Sequence, residues 1–263
     1  MKTCPFVISL PHCAGRVPVG IRQRMAISDK EIEDAVDHGT YEIFSGKIFS
    51  GPRVQEVLAA RYSRLFCDLN RSPRNRGYKG VVPETDYKGR HIFHPGMYPD
   101  DATIENWIMH YFRPWHERLE KAVFSPGVMG LFDCHSLNGI GPVAAPDAGR
   151  KRKDVIISNN GGKSGQSDPE SGDPTCPVHV VEIVEAAFLR AGFSTAVNDP
   201  YTGGFITVHY GRRLVRQGAF ALQIEMNQDL YLDPATERCD FQKTAFVAGR
   251  AQAAFEEIAR RLA

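Results

Sequence analysis

Two apolar runs in this chain end in histidine. Phe6-Val-Ile-Ser-Leu-Pro-His12 and Gly130-Leu-Phe-Asp-Cys-His-Ser136 share one form. Each reads as a short buried strand with a histidine at its C-terminal end. A third run, Phe220-Ala-Leu-Gln-Ile-Glu225, ends in a carboxylate. In open α/β sheets, ligands occupy the crevice beyond the carboxyl ends of the strands. Two imidazoles there could share one metal, and imidazoles sharing one zinc would stand within about 5 Å of each other. Such an ion acidifies a water, and a carboxylate outside its coordination shell can take the proton. Strand alternation puts Asp133 on the face of His135, as a partner for the imidazole, and turns Cys134 to the other face. A lone histidine is more often structural, so the matched pair carries this reading.

The elements that would hold these groups alternate between strand and helix. Strands are expected at 5–10, 65–69, 128–135, 154–158, 193–197 and 220–225, with a short extended piece at 205–209. Ser28 with Glu31 forms a capping box for a helix that runs out near Asp37-His38-Gly39. Further helices are expected at 52–62 and 177–191, and a last one capped by Asp240. The clearest helix is 101–124, with apolar residues from Ile104 to Leu119 at helical spacing and a kink expected at Pro114. Residues 72–100 form a long loop rich in Pro and Gly. Arg150-Lys-Arg-Lys153 reads as a solvated charged face. Gly162-Lys163-Ser164 lacks the earlier glycine of a phosphate-binding loop, since that place holds Ile157. The alternation predicts an α/β fold, a mixed or mostly parallel sheet with helices on both faces, in one domain over residues 1–263.

Composition sets the remaining bounds. The 263 residues are 42% apolar and 24% charged, with 32 Lys+Arg against 31 Asp+Glu. A balance this even gives no support for nucleic-acid or membrane-surface partners. The six cysteines form no CxxC pair, and no apolar run is long enough for a signal peptide or a membrane span. A cytoplasmic protein with free thiols is the expectation.

Ser9-Leu-Pro-His12 with Gly15 and Pro18, Arg61-Tyr-Ser-Arg64, Asp68-Leu-Asn-Arg71, Asp133-Cys-His-Ser136, Asn198 to Tyr201 with Gly203-Gly204, Thr207, His209-Tyr-Gly211 and Gln223-Ile-Glu225 follow one another along the chain. In that order they resemble the N-formylglutamate amidohydrolase family, which is related to the zinc carboxypeptidases. The resemblance implies a phosphorylase/hydrolase-like three-layer α/β/α sandwich. It also implies zinc-dependent hydrolysis of a small acidic N-acyl amino acid, N-formyl-L-glutamate first, giving formate and glutamate in histidine degradation. His12 and His135 match the metal histidines. Asp37 is the best third ligand, with His38 its substitute, because Gly15 stands where a carboxypeptidase has its glutamate. Glu225 matches the general base. Asn70 and Arg71 match a pair that grips a substrate carboxylate, and Arg64 is assigned an oxyanion or carboxylate contact. Tyr201, Gly203, Gly204 and His209 fall in blocks assigned to the substrate. Tyr41 and His38 depart from the family pattern.

Two competing readings remain open at this stage. One is a cysteine hydrolase using Cys13 or Cys134, which would be sensitive to alkylation rather than chelation. The other is a binding protein that keeps the fold without the chemistry, raised by Tyr41 and His38. Turnover of any N-acyl amino acid would exclude it.

Overall fold

The computed structural model describes residues 4–45 and 54–262. Its centre is a six-stranded sheet in the order β2-β1-β3-β6-β4-β5. The strands are β1 (Cys4–Leu10), β2 (Val54–Ala59), β3 (Gly130–Leu137), β4 (Val155–Ser158), β5 (Thr195–Val197) and β6 (Phe220–Asn227). All neighbouring pairs are parallel except β4 with β6. The sheet is therefore mixed and mostly parallel, as the alternation of elements predicts.

The pleat divides the side chains between two cores. Phe6, Ile8, Leu10, Phe132, Cys134, Leu222 and Ile224 face one way and pack under α6 (Val178–Arg190) and α8 (Phe241–Leu262). Val7, Leu131 and Ala221 face the other way, under α4 (Asp101–Trp107), α5 (Arg113–Val123) and α7 (Phe205–Leu214). Helices thus cover both faces, giving the three-layer sandwich. Each buried Phe, Leu or Ile contributes on the order of 1.5–3 kcal/mol relative to exposure.

On the second face the strands change character along their length. Val7, Leu131 and Ala221 give way, two residues on, to Ser9, Asp133 and Gln223, which stand level in adjacent strands. Two residues further, His135 stands level with Glu225. A period-2 backbone keeps each series on one face. The polar crevice is therefore a continuation of the core face, at the carboxyl ends of β1, β3 and β6. The chain leaves β1 toward β2 and reaches β3 on the other side, so a crevice opens there.

Four local expectations are corrected. Residues 54–59 form edge strand β2 and not part of a helix, because pairing with β1 overrides a helix-like spacing; Pro52 and Arg53 lie outside the described residues. Residues 65–69 are irregular: Leu65, Phe66, Cys67 and Leu69 are buried, but Asp68 N bonds to Val81 O and its carboxylate caps Asn70 N. Residues 205–209 open helix α7, whose buried residues Ile206, Thr207, Tyr210, Gly211 and Leu214 follow helical spacing. Arg152 is buried in a two-pronged pair with Asp147 at 2.7 Å on each arm, so the run 150–153 is not a solvated face throughout.

The long helix continues past Pro114 through a π turn at Ile108–Phe112. Proline lacks an N–H and crowds the carbonyl four residues back, and the wider turn absorbs both. Ser28 and Glu31 make the expected capping box on α2 (Asp29–Glu33), and Asp240 accepts from Lys243 N at the start of α8. Among the described residues no helix is long and apolar enough to cross a membrane.

Candidate active site

His12 leaves the sheet two residues after β1. Its Nε2 donates to Asp68 Oδ1 at 2.7 Å. A carboxylate only accepts, so Nε2 carries the hydrogen and Nδ1 is left with its lone pair. That Nδ1 is buried, has no hydrogen-bond partner, and lies 3.5 Å from Asp37 Oδ2. His135 is held at both ring nitrogens: Nε2 is 3.1 Å from Asp133 Oδ2, and Nδ1 is hydrogen-bonded to Asp37 Oδ2 at 3.0 Å. The two rings are 4.8 Å apart, centre to centre.

Asp37 reaches this point because the chain turns sharply after α2. Its N–H bonds to His12 O at 2.9 Å, and Gly39 follows at φ 73°. A Cβ on Gly39 would lie 2.6 Å from the Tyr231 ring, so only glycine makes the turn. One atom each from His12, Asp37 and His135 lies within 4.8 Å of the others. Two imidazole nitrogens and a carboxylate oxygen are the donors of an open zinc site. The orphaned Nδ1 of His12 is the observation that fits a cation here, since a buried polar atom without a partner is costly.

The charges reinforce one another. Burial favours the neutral form of Asp37, but the His12 and His135 imidazoles beside it outweigh that and hold the carboxyl well below its usual range. Asp68 is held down in the same way, its burial outweighed by His12 and by the Arg64 guanidinium. Burial opposes the charge on His135, yet the Asp133 carboxylate beside it and Asp37 raise its pKa. Glu225 differs. Burial pushes its pKa up to about 7; His135 and Arg64 pull it down, and Asp37 and Asp133 push it up.

Comparison with known proteins places the chain. Residues 4–232 match the family model described as N-formylglutamate amidohydrolase. The chain belongs to the N-formylglutamate amidohydrolase family. The N-formylglutamate deformylase of Pseudomonas aeruginosa is 26% identical over 267 residues, spanning 98% of this chain and 92% of that protein. The N-formylglutamate deformylase of Pseudomonas putida is 25% identical over 249 residues, spanning 90% and 86%. The crystal structure of N-formylglutamate amidohydrolase from Ralstonia eutropha shares the fold at a TM-score of 0.73 and 20% identity, covering 99% of this chain and 95% of that one.

The other residues singled out by the family resemblance fall into distinct groups. Arg64 and Arg71 flank Asp68. Arg64 Nη2 is 3.4 Å and Arg71 Nε 3.6 Å from Asp68 Oδ2, and Arg64 Nη1 is 3.7 Å from Asp37 Oδ1. The Arg71 side chain is 41% exposed, so it stands at the mouth of the crevice. Asn70 is buried: its Oδ1 accepts from Ile206 N at 2.8 Å, and its Nδ2 lies 3.2 Å from His135 Nε2. Its amide ties α7 to the site. Gly204 permits that approach, because a Cβ there would lie 2.3 Å from Asn70 Nδ2. Gly203 sits at φ 138° in the same loop. Tyr201 is held through its hydroxyl, 3.0 Å from Arg152 Nη2, and through its carbonyl, which accepts from Ser158 Oγ at 2.7 Å.

His209 lies on the exposed side of α7, its ring stacked 5.0 Å from Phe205. Its ring contacts are with Phe205 and Tyr210 on its own helix. His38 turns away as well: its Nε2 is 3.0 Å from Glu33 O, so the cluster contains Asp37 and not its substitute. Tyr41 is 52% exposed. Burial pushes the Cys13 thiol up to about 11 and the Cys134 thiol well above its ordinary value, the opposite of what a thiolate nucleophile needs.

Asp68 and Gln223 were not singled out from the sequence for any role in the site. The signal for Asp68 was a lone carboxylate in the apolar run 65–69, and for Gln223 its place two residues before Glu225 on one strand.

Proposed function

We propose that this chain is a metal-dependent amidohydrolase that cleaves N-formyl-L-glutamate to formate and L-glutamate. The observation that carries the reading is the convergence of His12, Asp37 and His135, with the bare Nδ1 of His12 aimed at the centre. Family membership and the two Pseudomonas relatives named N-formylglutamate deformylase support the substrate. His12, Asp37 and His135 would hold one zinc ion. When bound, such an ion supplies Lewis acidity, polarising the scissile carbonyl and acidifying a water.

The chain's own residues supply the rest. Glu225 takes a proton from the attacking water and returns it to the glutamate nitrogen as the C–N bond breaks. A buried carboxyl with a pKa near 7 suits both halves of that transfer. Arg64, beside Asp37, is placed to meet negative charge developing on the formyl oxygen. Arg71, partly exposed beside Asp68, is placed to grip a carboxylate of the incoming substrate. The features that raised a non-catalytic alternative, His38 and Tyr41, stand outside the cluster, so nothing in the site favours it.

The test pairs metal analysis of the purified protein with a formate-release assay on N-formyl-L-glutamate. About one zinc per chain, chelator-sensitive turnover and no response to thiol alkylation are expected. A protein that holds no divalent metal, or turns over at an unchanged rate after chelation, would overturn the reading.

A further inference from the structure

Gln223 is buried on β6, level with Asp133 and two residues before Glu225. Its amide has two partners. Gly204 N donates to Gln223 Oε1 at 2.7 Å, and Gln223 Nε2 donates to Glu225 Oε1 at 2.8 Å. The orientation of that amide is determined by chemistry. A backbone N–H requires an acceptor, so the oxygen faces Gly204 and the NH2 group faces the carboxylate. Gly204 is the N-cap of α7, where backbone N–H groups lack partners within the helix.

We propose that Gln223 is the positioning residue for Glu225, fixing which carboxylate oxygen exchanges protons and coupling the base to the 198–204 loop. The inference rests on the reading of Glu225 as the base. One oxygen of Glu225 is occupied by the amide, so Oε2 is the oxygen that meets the water. The same helix start is tied to the metal group: Ile206 N bonds to Asn70 Oδ1 at 2.8 Å, Asn70 N to Asp68 Oδ1 at 2.8 Å, and Asp68 Oδ1 accepts from His12 Nε2 at 2.7 Å. A continuous path of hydrogen bonds, joined through the backbone from Gly204 to Ile206 and through Asn70, therefore links the base to a ligand histidine.

A double-mutant cycle tests this. Gln223→Met keeps length and removes both hydrogen bonds. It is expected to lower kcat by about 10- to 100-fold, the usual worth of a hydrogen bond to a charged group, with KM within about twofold. Zinc content, measured on the same preparations, should be retained, while melting should fall because the Gly204 N–H loses its acceptor. On a Glu225→Gln background the same change should cost less than about twofold, because its target is gone. Wild-type turnover in Gln223→Met, loss of zinc, or an equal loss on both backgrounds would overturn the proposal while leaving Glu225 as base. Undiminished turnover in Glu225→Gln would instead overturn the base itself, and this inference with it. Should Gln223→Met not fold, Gln223→Thr, too short to reach Glu225, is measured in the same cycle with the same expected and refuting results.

Discussion

Replacing Asp68 with asparagine separates its charge from its shape. Asp68 Oδ1 accepts from His12 Nε2 at 2.7 Å and from Asn70 N at 2.8 Å, and an asparagine oxygen could keep both. Its other oxygen faces Arg64 Nη2 at 3.4 Å and Arg71 Nε at 3.6 Å. In the variant that atom becomes an NH2 group, a donor set against two donors. Coulomb's law at an effective dielectric of about 20 gives roughly 5 kcal/mol for a unit pair at such distances. Solvent at the mouth, where the Arg71 side chain is 41% exposed, screens a large part of this. The histidine bond also falls from charge-assisted to neutral, a loss of about 1 kcal/mol. His12 would then hold its Nδ1 toward the metal less firmly. Losing a carboxylate behind a ligand histidine usually weakens metal binding about 10- to 100-fold. The assay is zinc competition against a chromophoric chelator, run beside thermal melting. Asp68→Asn should bind zinc within that weaker range and melt lower. A variant that binds zinc as tightly as the parent would refute the claim that Asp68 sets the imidazole.

The remaining predictions concern charge elsewhere. Arg71→Lys should keep zinc but lose about 10- to 150-fold in kcat/KM for the acidic substrate, because an ammonium cannot make two parallel bonds to a carboxylate; unchanged kinetics would pass the role to Arg64. His116 is buried, with Nε2 2.9 Å from Leu69 O and Nδ1 2.9 Å from the Tyr210 hydroxyl, and burial pushes its pKa down to about 4. Its folded pKa lies below the unfolded value near 6.5, so the unfolded chain binds the extra proton as pH falls between the two. Its share of stability is present above about pH 6.5 and is lost toward pH 4, by about 3 kcal/mol in all. Urea unfolding at several pH values should show that slope flattened in His116→Gln, and parallel curves would refute it. Metal-free protein should bind N-formyl-L-glutamate more weakly by calorimetry, and equal affinity would show that the cation serves the chemistry alone.

The parts of the site that ride on strands were legible in the sequence, and those that ride on loops were less so. An apolar run ending in His135 or Glu225 fixes both the element and the face, because strand alternation admits one solution. It also turned Cys134 to the opposite face, where it lies in the core under α6 and α8. The edge strand β2 is hidden in the sequence because Val57 and Leu58 fit a helix locally, and only pairing with β1 decides between the two. Helix α7 is hidden for a related reason: its start is held by Asn70 and Gln223, distant residues that no short window contains. Asp68 lies in an apolar run whose irregular path depends on Val81 O, again a long-range contact.

These differences in origin bear on how the site works. His135 and Glu225 are level on adjacent strands, so their separation is set by the sheet. His12, Asp37, Arg64 and Arg71 come from loops, and what gathers them is charge. Asp37, Asp68, Asp133 and Glu225 bring four carboxyl groups to the centre, and Arg64 and Arg71 bring two guanidiniums. Fully ionised, these groups leave two negative charges in excess, reduced when Glu225 takes a proton. A divalent cation at His12, Asp37 and His135 would balance that excess, adding to the guanidiniums of Arg64 and Arg71 as a local field for a dianionic substrate. The same ion that would activate the amide would therefore also let an acidic substrate approach. Arg71, already beside Asp68, would exchange part of that contact for the substrate's own carboxylate.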